Sequence, residues 1–128
     1  MTATQPTAPQ FDKQEQYDKI ASGLMPGEQI ICVYDCKGGG TGFMGVTNMR
    51  LVFQDNSFVG KKIAITSIPF SRITSVSVLS DKSIMGKFFS SSSIAVTVSG
   101  AKTHEAEFRG EEKAAHVHNV ILHYLCRA

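Results

Sequence analysis

Residues 42–54 read GFMGVTNMRLVFQ, and the pattern of this stretch decides the fold class. Its two halves, residues 42–47 and 50–54, are rich in Val, Phe, Leu and Met, and a short segment beginning Thr47-Asn48 separates them. Short apolar segments joined by a tight turn are typical of a β-hairpin, in which Asn48 suits a left-handed backbone position. We therefore predict two antiparallel strands here.

Similar segments rich in Ile, Val, Thr and Phe lie on both sides of this hairpin, separated by clusters of Gly, Asn, Asp, Ser and Lys. The alternation is clearest where Ile94, Val96 and Val98 fall on one face of a strand. Repetition at hairpin intervals predicts an all-β core of seven strands. The predicted strands are residues 28–35, 42–47, 50–54, 62–68, 72–79, 93–99 and 103–109.

Helical periodicity replaces strand alternation at both ends of the chain. Residues 11–24 place Ile20 and Leu24 on one helical face, and residues 111–126 carry an apolar stripe that includes Ile121. The order is therefore helix, seven strands, helix, without alternation of strands and helices. This order predicts an antiparallel, partly open barrel with the C-terminal helix closing one opening.

The length of 128 residues predicts one domain, and a composition of 42% hydrophobic and 19% charged residues is ordinary for a globular protein. We place this domain over residues 11–128 and interpret residues 1–10, which carry two prolines, as a flexible N-terminal tail. The net charge of +2 and the pI near 8.5 do not favour a dedicated nucleic-acid binder. Large multi-domain enzymes are excluded by the length.

Targeting signals and cysteine usage favour the cytoplasm. We find neither a secretory signal at the N-terminus nor an apolar run long enough to span a membrane. Cys32 and Cys36 lie four residues apart in one predicted strand, about 13 Å between their α-carbons, so they cannot form a disulfide with each other. We therefore expect three free thiols in a reducing compartment.

Motifs for catalysis and for metal binding are weak in this sequence. The glycine-rich segment 38–42 lacks the Gly-Lys-Ser/Thr ending and the following helix of a phosphate-binding loop, and no nucleophile elbow is present. The histidines of the last helix, His116, His118 and His123, are not spaced to bind one metal ion. We predict no catalytic residue, no metal and no cofactor.

Two motifs carry a family resemblance. Residues 45–53 read GVTNMRLVF and residues 68–76 read IPFSRITSV, and together they resemble the bacterial pleckstrin-homology-like (PH-like) domain, a relative of the GRAM domain. The resemblance covers about residues 26–125. It implies a partly open seven-stranded barrel, a C-terminal helix that plugs one end, no known catalysis, and ring-like homo-oligomers.

Basic residues concentrate in the first hairpins of the predicted barrel. In an antiparallel meander the loop that carries Lys37 and the loop that carries Lys61 and Lys62 lie at the same end. With Arg50, these residues are our candidates for binding an anion or a lipid headgroup, the function that the resemblance associates with this end. The alternative is that these lysines are solvated and protect strand edges from aggregation.

The loop 80–93 carries a second candidate surface. Met85, Phe88 and Phe89 lie beside Lys87, a combination that marks a partner surface or a membrane surface when it is exposed. The alternative is that these residues fold back on the barrel. Stacking on single-stranded nucleic acid is less favoured because only two aromatic residues cluster here.

The sequence thus predicts a non-enzymatic binding or assembly module that forms a cytoplasmic homo-oligomer, and no small-molecule substrate. The alternative function is peripheral binding to an anionic membrane, or to phosphoinositide-type headgroups, through the basic hairpin loops and the apolar loop.

Overall fold

The structure is a computed structural model that describes residues 8–38, 40–56, 60–79, 91–99 and 103–126. Eight strands, two helices and a short 3-10 helix (Phe70–Arg72) form the described part of the chain. In chain order the strands and helices are β1 (Gln10–Phe11), α1 (Gln14–Ala21), β2 (Ile30–Lys37), β3 (Thr41–Thr47), β4 (Arg50–Asp55), β5 (Ala64–Pro69), β6 (Ile73–Leu79), β7 (Ser91–Val98), β8 (Thr103–Arg109) and α2 (Lys113–Leu125).

Seven antiparallel strands form one curled half-barrel, and their order across the sheet is β5-β4-β3-β2-β8-β7-β6. Each of the seven strands predicted from the sequence is present, with bounds that differ by at most two residues. The half-barrel and its C-terminal helix confirm the predicted fold class.

The main core lies between the concave face of the sheet and α2. Its largest side chains include Met44, Phe53 and Phe108, and the apolar stripe of α2 packs against them with Val117 and Ile121 fully buried. Burial of this stripe explains the helical periodicity seen in the sequence.

A second, smaller cluster lies on the opposite face of the sheet, under α1. Ile20 of α1 packs there against Val33, Phe43 and Val52. Strands β2 to β4 are therefore buried on both faces, and this burial accounts for their nearly continuous apolar sequences.

The N-terminal prediction of a helix over residues 11–24 is wrong at both of its ends. Gln10 and Phe11 pair with β2 in parallel as β1, opposite Cys32 and Val33, so Gln10 belongs to the sheet and not to a mobile tail. The chain then enters a helix of eight residues. A two-residue strand has no periodicity that a sequence pattern could reveal, and for this reason the prediction from sequence divides it between the flexible tail and the helix.

The β3–β4 turn forms without a left-handed Asn48, contrary to the expectation from sequence. Every residue with positive φ in the described ranges is a glycine. The Thr47 hydroxyl instead accepts hydrogen bonds from the backbone N–H groups of Met49 and Arg50, both at 3.0 Å, and so closes the turn. Asn48 Oδ1 accepts a 2.8 Å hydrogen bond from the Gln29 N–H, which ties the turn to the start of β2.

Candidate binding surfaces

Three of the four basic candidates lie at one end of the half-barrel. Lys37 ends β2, and Lys61 and Lys62 lie in the loop between β4 and β5. The pairing of Asp55 with both Thr41 and Ala64 places the end of β4 beside the starts of β3 and β5. The end of β2 lies at this same edge because β2 runs antiparallel to β3.

The charges at this end are not uniformly positive. Lys37 Nζ lies 3.6 Å from Glu107 Oε2, and both side chains line a shallow pocket of about 250 Å³ that also includes Glu105. Lys61 and Lys62 are exposed and form no ion pair with a residue in the described ranges. Among the described residues, Lys61 and Lys62 therefore supply the positive charge at this end that no carboxylate offsets.

Arg50 lies at the other end of β4, roughly 17 Å away along the strand. Its guanidinium donates two hydrogen bonds to the Glu28 carboxylate, at 2.7 and 3.0 Å, and others to Ser67 Oγ and to the Gly23 carbonyl. The structure therefore does not bring Arg50 together with the three lysines. Instead, its planar fork joins the segment after α1 to β4 and β5.

Glu28 is a residue that sequence reasoning did not single out. Its side chain is fully buried and also accepts hydrogen bonds from the Met25 N–H and the Thr47 hydroxyl. The hydrogen bond from Arg50 is the largest cause that lowers the pKa of Glu28, to about 2, although burial opposes the shift. No local motif reveals the role of Glu28, because its partner Arg50 lies 22 residues away in the sequence.

A second charged network fixes β1 to the sheet and to α2. Asp12 Oδ1 lies 2.6 Å from Lys113 Nζ, and Asp12 Oδ2 accepts a 2.9 Å hydrogen bond from the backbone N–H of Asp35. The buried Asp35 carboxylate in turn pairs with Arg109 and with Lys13. Charge-assisted hydrogen bonds therefore hold the N-terminal segment against β2 and α2.

Tyr34 and His116 meet beside this network. The Tyr34 hydroxyl donates to Gln10 Oε1 at 2.9 Å and lies 2.6 Å from His116 Nδ1. Because the hydroxyl has one proton, His116 Nδ1 must carry a hydrogen in this arrangement. Burial lowers the pKa of His116, which favours the neutral ring.

The cysteines and histidines form no metal site in the described ranges, where no group of three His, Cys, Asp or Glu side chains is placed to hold an ion. All three cysteines are free, and Cys126 is exposed. Burial raises the pKa of both Cys32 and Cys36 to about 12.

A cleft of about 380 Å³ lies between β1, the start of β2 and α2. Its walls come from Gln10 on β1 and from His116 and Tyr124 on α2, and Ile30 and Ile31 of β2 line it between them. The sequence contains no motif that predicts this cleft, because its walls are assembled from both ends of the chain.

The two end strands of the sheet, β5 and β6, each pair on one side only among the described strands. Apolar side chains near both edges are exposed: Ile63 is 55% exposed, Ile65 49%, Val78 44% and Leu79 40%. Unpaired strand edges with exposed apolar side chains are natural sites for pairing with another chain.

Met85, Lys87, Phe88 and Phe89 lie outside the described residues, so their proposed role as a partner or membrane surface stays a prediction. Within the described ranges, neither helix has the length and apolar character needed to cross a bilayer.

The half-barrel closed by α2 defines a pleckstrin-homology-like domain. The family model for the bacterial PH domain matches residues 4–125, and the chain therefore belongs to the bacterial PH domain family. No curated protein matches it significantly.

Solved structures from two Shewanella species are among those that share the fold. The crystal structure of a pleckstrin homology domain from Shewanella amazonensis SB2B is 22% identical and has a TM-score of 0.64, covering 89% of this chain and 98% of that chain. A DUF1696 family protein with a pleckstrin-homology domain, from Shewanella loihica PV-4, is 19% identical with a TM-score of 0.59, covering 87% and 91%.

Proposed function

We propose that this chain is a non-catalytic binding and assembly module that forms a homo-oligomer by pairing β6 of one copy with β6 of a second copy. The observation that carries this proposal is the edge of β6, whose seven residues include no charged residue and no proline. The strand exposes Val78 and Leu79 and has a described partner on one side only. Natural sheets normally protect such an edge.

The other end strand differs from β6 in this respect. β5 follows directly after Lys61 and Lys62 and ends at Pro69, which has no N–H to donate. Lysines and proline are common means of preventing edge-to-edge pairing. The contrast between the two edges favours β6 as the assembly surface, and pairing of identical edges gives a two-fold symmetric contact.

A non-catalytic role agrees with the chemistry of the buried thiols. With pKa values raised to about 12, Cys32 and Cys36 stay protonated near neutral pH and are poor nucleophiles. Three free cysteines also support placement in the cytoplasm.

The test is the solution mass by light scattering of the wild type, of Leu79→Lys, and of Ile65→Lys as the matched control on the β5 edge. We expect the wild type at twice the 13.9 kDa chain mass. Leu79→Lys should give the mass of one chain with an unchanged circular dichroism spectrum, because a lysine on the edge opposes pairing. Ile65→Lys should keep the wild-type mass.

A monomeric wild type would refute self-assembly. If Ile65→Lys dissociated the oligomer as well as Leu79→Lys, the result would indicate a head-to-tail contact between β5 and β6 and reject the two-fold contact. If the double variant Phe88→Ser, Phe89→Ser dissociated it and Leu79→Lys did not, the result would place the contact at the apolar loop and reject pairing along β6.

Binding to an anionic membrane is the second candidate, and a different observation favours it. Lys61 and Lys62, exposed and without a described ion-pair partner, directly precede the exposed Ile63. Basic residues beside an exposed apolar side chain suit an anionic bilayer surface. Lys37 and Arg50 support headgroup binding less, because each is paired with a carboxylate.

Co-sedimentation with vesicles of phosphatidylcholine, with and without phosphatidylserine, tests this candidate. Binding should require phosphatidylserine, weaken at high salt, and be lost in Lys61→Ala, Lys62→Ala but not in Lys37→Ala. Equal binding to both vesicle types would reject the membrane function.

A further inference from the structure

We infer that the cleft between β1, β2 and α2 binds a small, neutral molecule that has a flat ring and a hydrogen-bonding group. This inference concerns other residues than the edge of β6, and it holds whether or not the chain assembles with itself. It rests on the size, the charge and the unused hydrogen-bonding capacity of the cleft.

The size of the cleft suits a small ligand. Its volume of about 380 Å³ lies at the lower end of the range of about 300–1,000 Å³ that is typical of ligand pockets. Ala8, Ile30 and Ile31 supply apolar surface. Tyr124 is the aromatic residue of the lining that Phe70 holds in place, since the two rings stack with 4.9 Å between centroids and 6° between planes.

The lining carries no Asp, Glu, Lys or Arg among the described residues. The charged groups of the neighbouring network are paired with one another, as Asp12 is with Lys113. Transferring a charged ligand into a partly enclosed cleft without a counter-charge is costly, so the lining selects against ions.

Polar groups of the lining have hydrogen-bonding capacity to spare. Gln10 accepts from Tyr34 through Oε1, which leaves its NH₂ group. The side-chain amide of Gln29 and the hydroxyl of Tyr124 make no hydrogen bond with a described residue. Because His116 Nδ1 carries a hydrogen, His116 Nε2 is an acceptor in the neutral ring. The lining therefore offers both donors and acceptors.

The test uses neutral benzamide as the probe. Benzoate, an anion, and benzylammonium, a cation, are comparison ligands of similar shape. Amide spectra of the ¹⁵N-labelled full chain are recorded during titration with each compound. We expect benzamide to shift the signals of Gln29, Ile31 and His116 saturably, with a Kd of about 1–10 mM for so small a ligand. Both ions should bind at least about tenfold more weakly.

A charge placed in the lining provides the matched variant. Gln29→Glu should raise the affinity for benzylammonium above that for benzamide, because the new carboxylate supplies the missing counter-charge. Asn119→Asp, on the exposed side of α2, is the control and should keep the wild-type preference. The same spectra show that each variant is folded.

Absence of saturable shifts at the cleft would overturn the inference. Benzoate binding as tightly as benzamide would also overturn it. The same holds if Gln29→Glu and Asn119→Asp changed the preference between benzylammonium and benzamide equally.

Discussion

The Glu28 carboxylate accepts hydrogen bonds from the Arg50 guanidinium, the Met25 N–H and the Thr47 hydroxyl, and its pKa falls from 4.5 to about 2. A carboxyl group with a lowered pKa in the folded state stabilises the fold above the unfolded pKa, and this stabilisation is lost as the pH falls towards the folded pKa. For Glu28, the free energy of unfolding should drop by about 2 kcal/mol between about pH 6 and about pH 3.

Urea unfolding of the wild type and of Glu28→Gln at both pH values measures this contribution. The variant should be less stable at neutral pH by about 2–4 kcal/mol, because it leaves the partly buried Arg50 without a carboxylate. Its loss of stability on acidification should also be smaller than that of the wild type. Glu111→Gln, an exposed carboxyl group, is the control, and an identical acid response in the wild type and Glu28→Gln would contradict this explanation.

Ile20 of α1 packs directly against Gly45 of β3. A β-carbon there would collide with Ile20 Cδ1 and would lie 3.3 Å from the Cys32 carbonyl oxygen. Gly45→Ala should therefore lower the free energy of unfolding by about 1–3 kcal/mol. Gly23→Ala, where no atom lies within 4 Å of the added carbon, is the matched control, and equal stability of the two variants in urea would refute this packing argument.

At the scale of elements, β1 depends on side chains far from it in the sequence. Besides the hydrogen bond from the Asp12 N–H to the Val33 carbonyl, the pairing of Asp12 with Lys113 holds this segment. Asp12→Ala should speed hydrogen exchange at the Gln10–Asp12 amides by about tenfold, since it removes a partly buried charge-assisted contact. Exchange in β3 and β4 should stay unchanged.

Asp18→Ala is the control for this experiment, because Asp18 is exposed on α1 and, among the described residues, its side chain bonds to Gln14 alone. If Asp12→Ala left the exchange of the Gln10–Asp12 amides as slow as in the wild type, the charged network would not be what holds β1. If both variants accelerated this exchange equally, the acceleration would come from a change in α1 and not from loss of the contact between Asp12 and Lys113.

The elements with a regular apolar pattern could be predicted from the sequence, and the others could not. The seven antiparallel strands and α2 repeat their apolar residues with a period that burial on the half-barrel explains. β1 is too short to show a period, and Arg50 was assigned to an anion site because its partner Glu28 lies 22 residues away. The cleft escaped prediction for the same reason, since residues from both ends of the chain form it.

At the scale of the whole molecule, the topology determines which surfaces are free. Closure of a barrel would remove all strand edges, but this half-barrel leaves β5 and β6 as end strands. Lys61 and Lys62 precede β5 and Pro69 ends it, residue types that oppose edge-to-edge pairing, and no such residue lies within β6. We therefore expect two copies to meet along β6.

Disulfide cross-linking in a Cys126→Ser background reports on pairing along β6 without interference from the other cysteines, because Cys32 and Cys36 are buried. The five exposed residues of β6 are replaced by cysteine one at a time: Thr74, Ser75, Ser77, Val78 and Leu79. Under mild oxidation, at least one of these variants should give a covalent dimer, since a two-fold contact brings the two copies of a residue near its axis within reach of a disulfide. Ile65→Cys on β5 should stay monomeric on a denaturing gel. No dimer from any β6 variant, or as much dimer from Ile65→Cys as from the best β6 variant, would contradict pairing along β6.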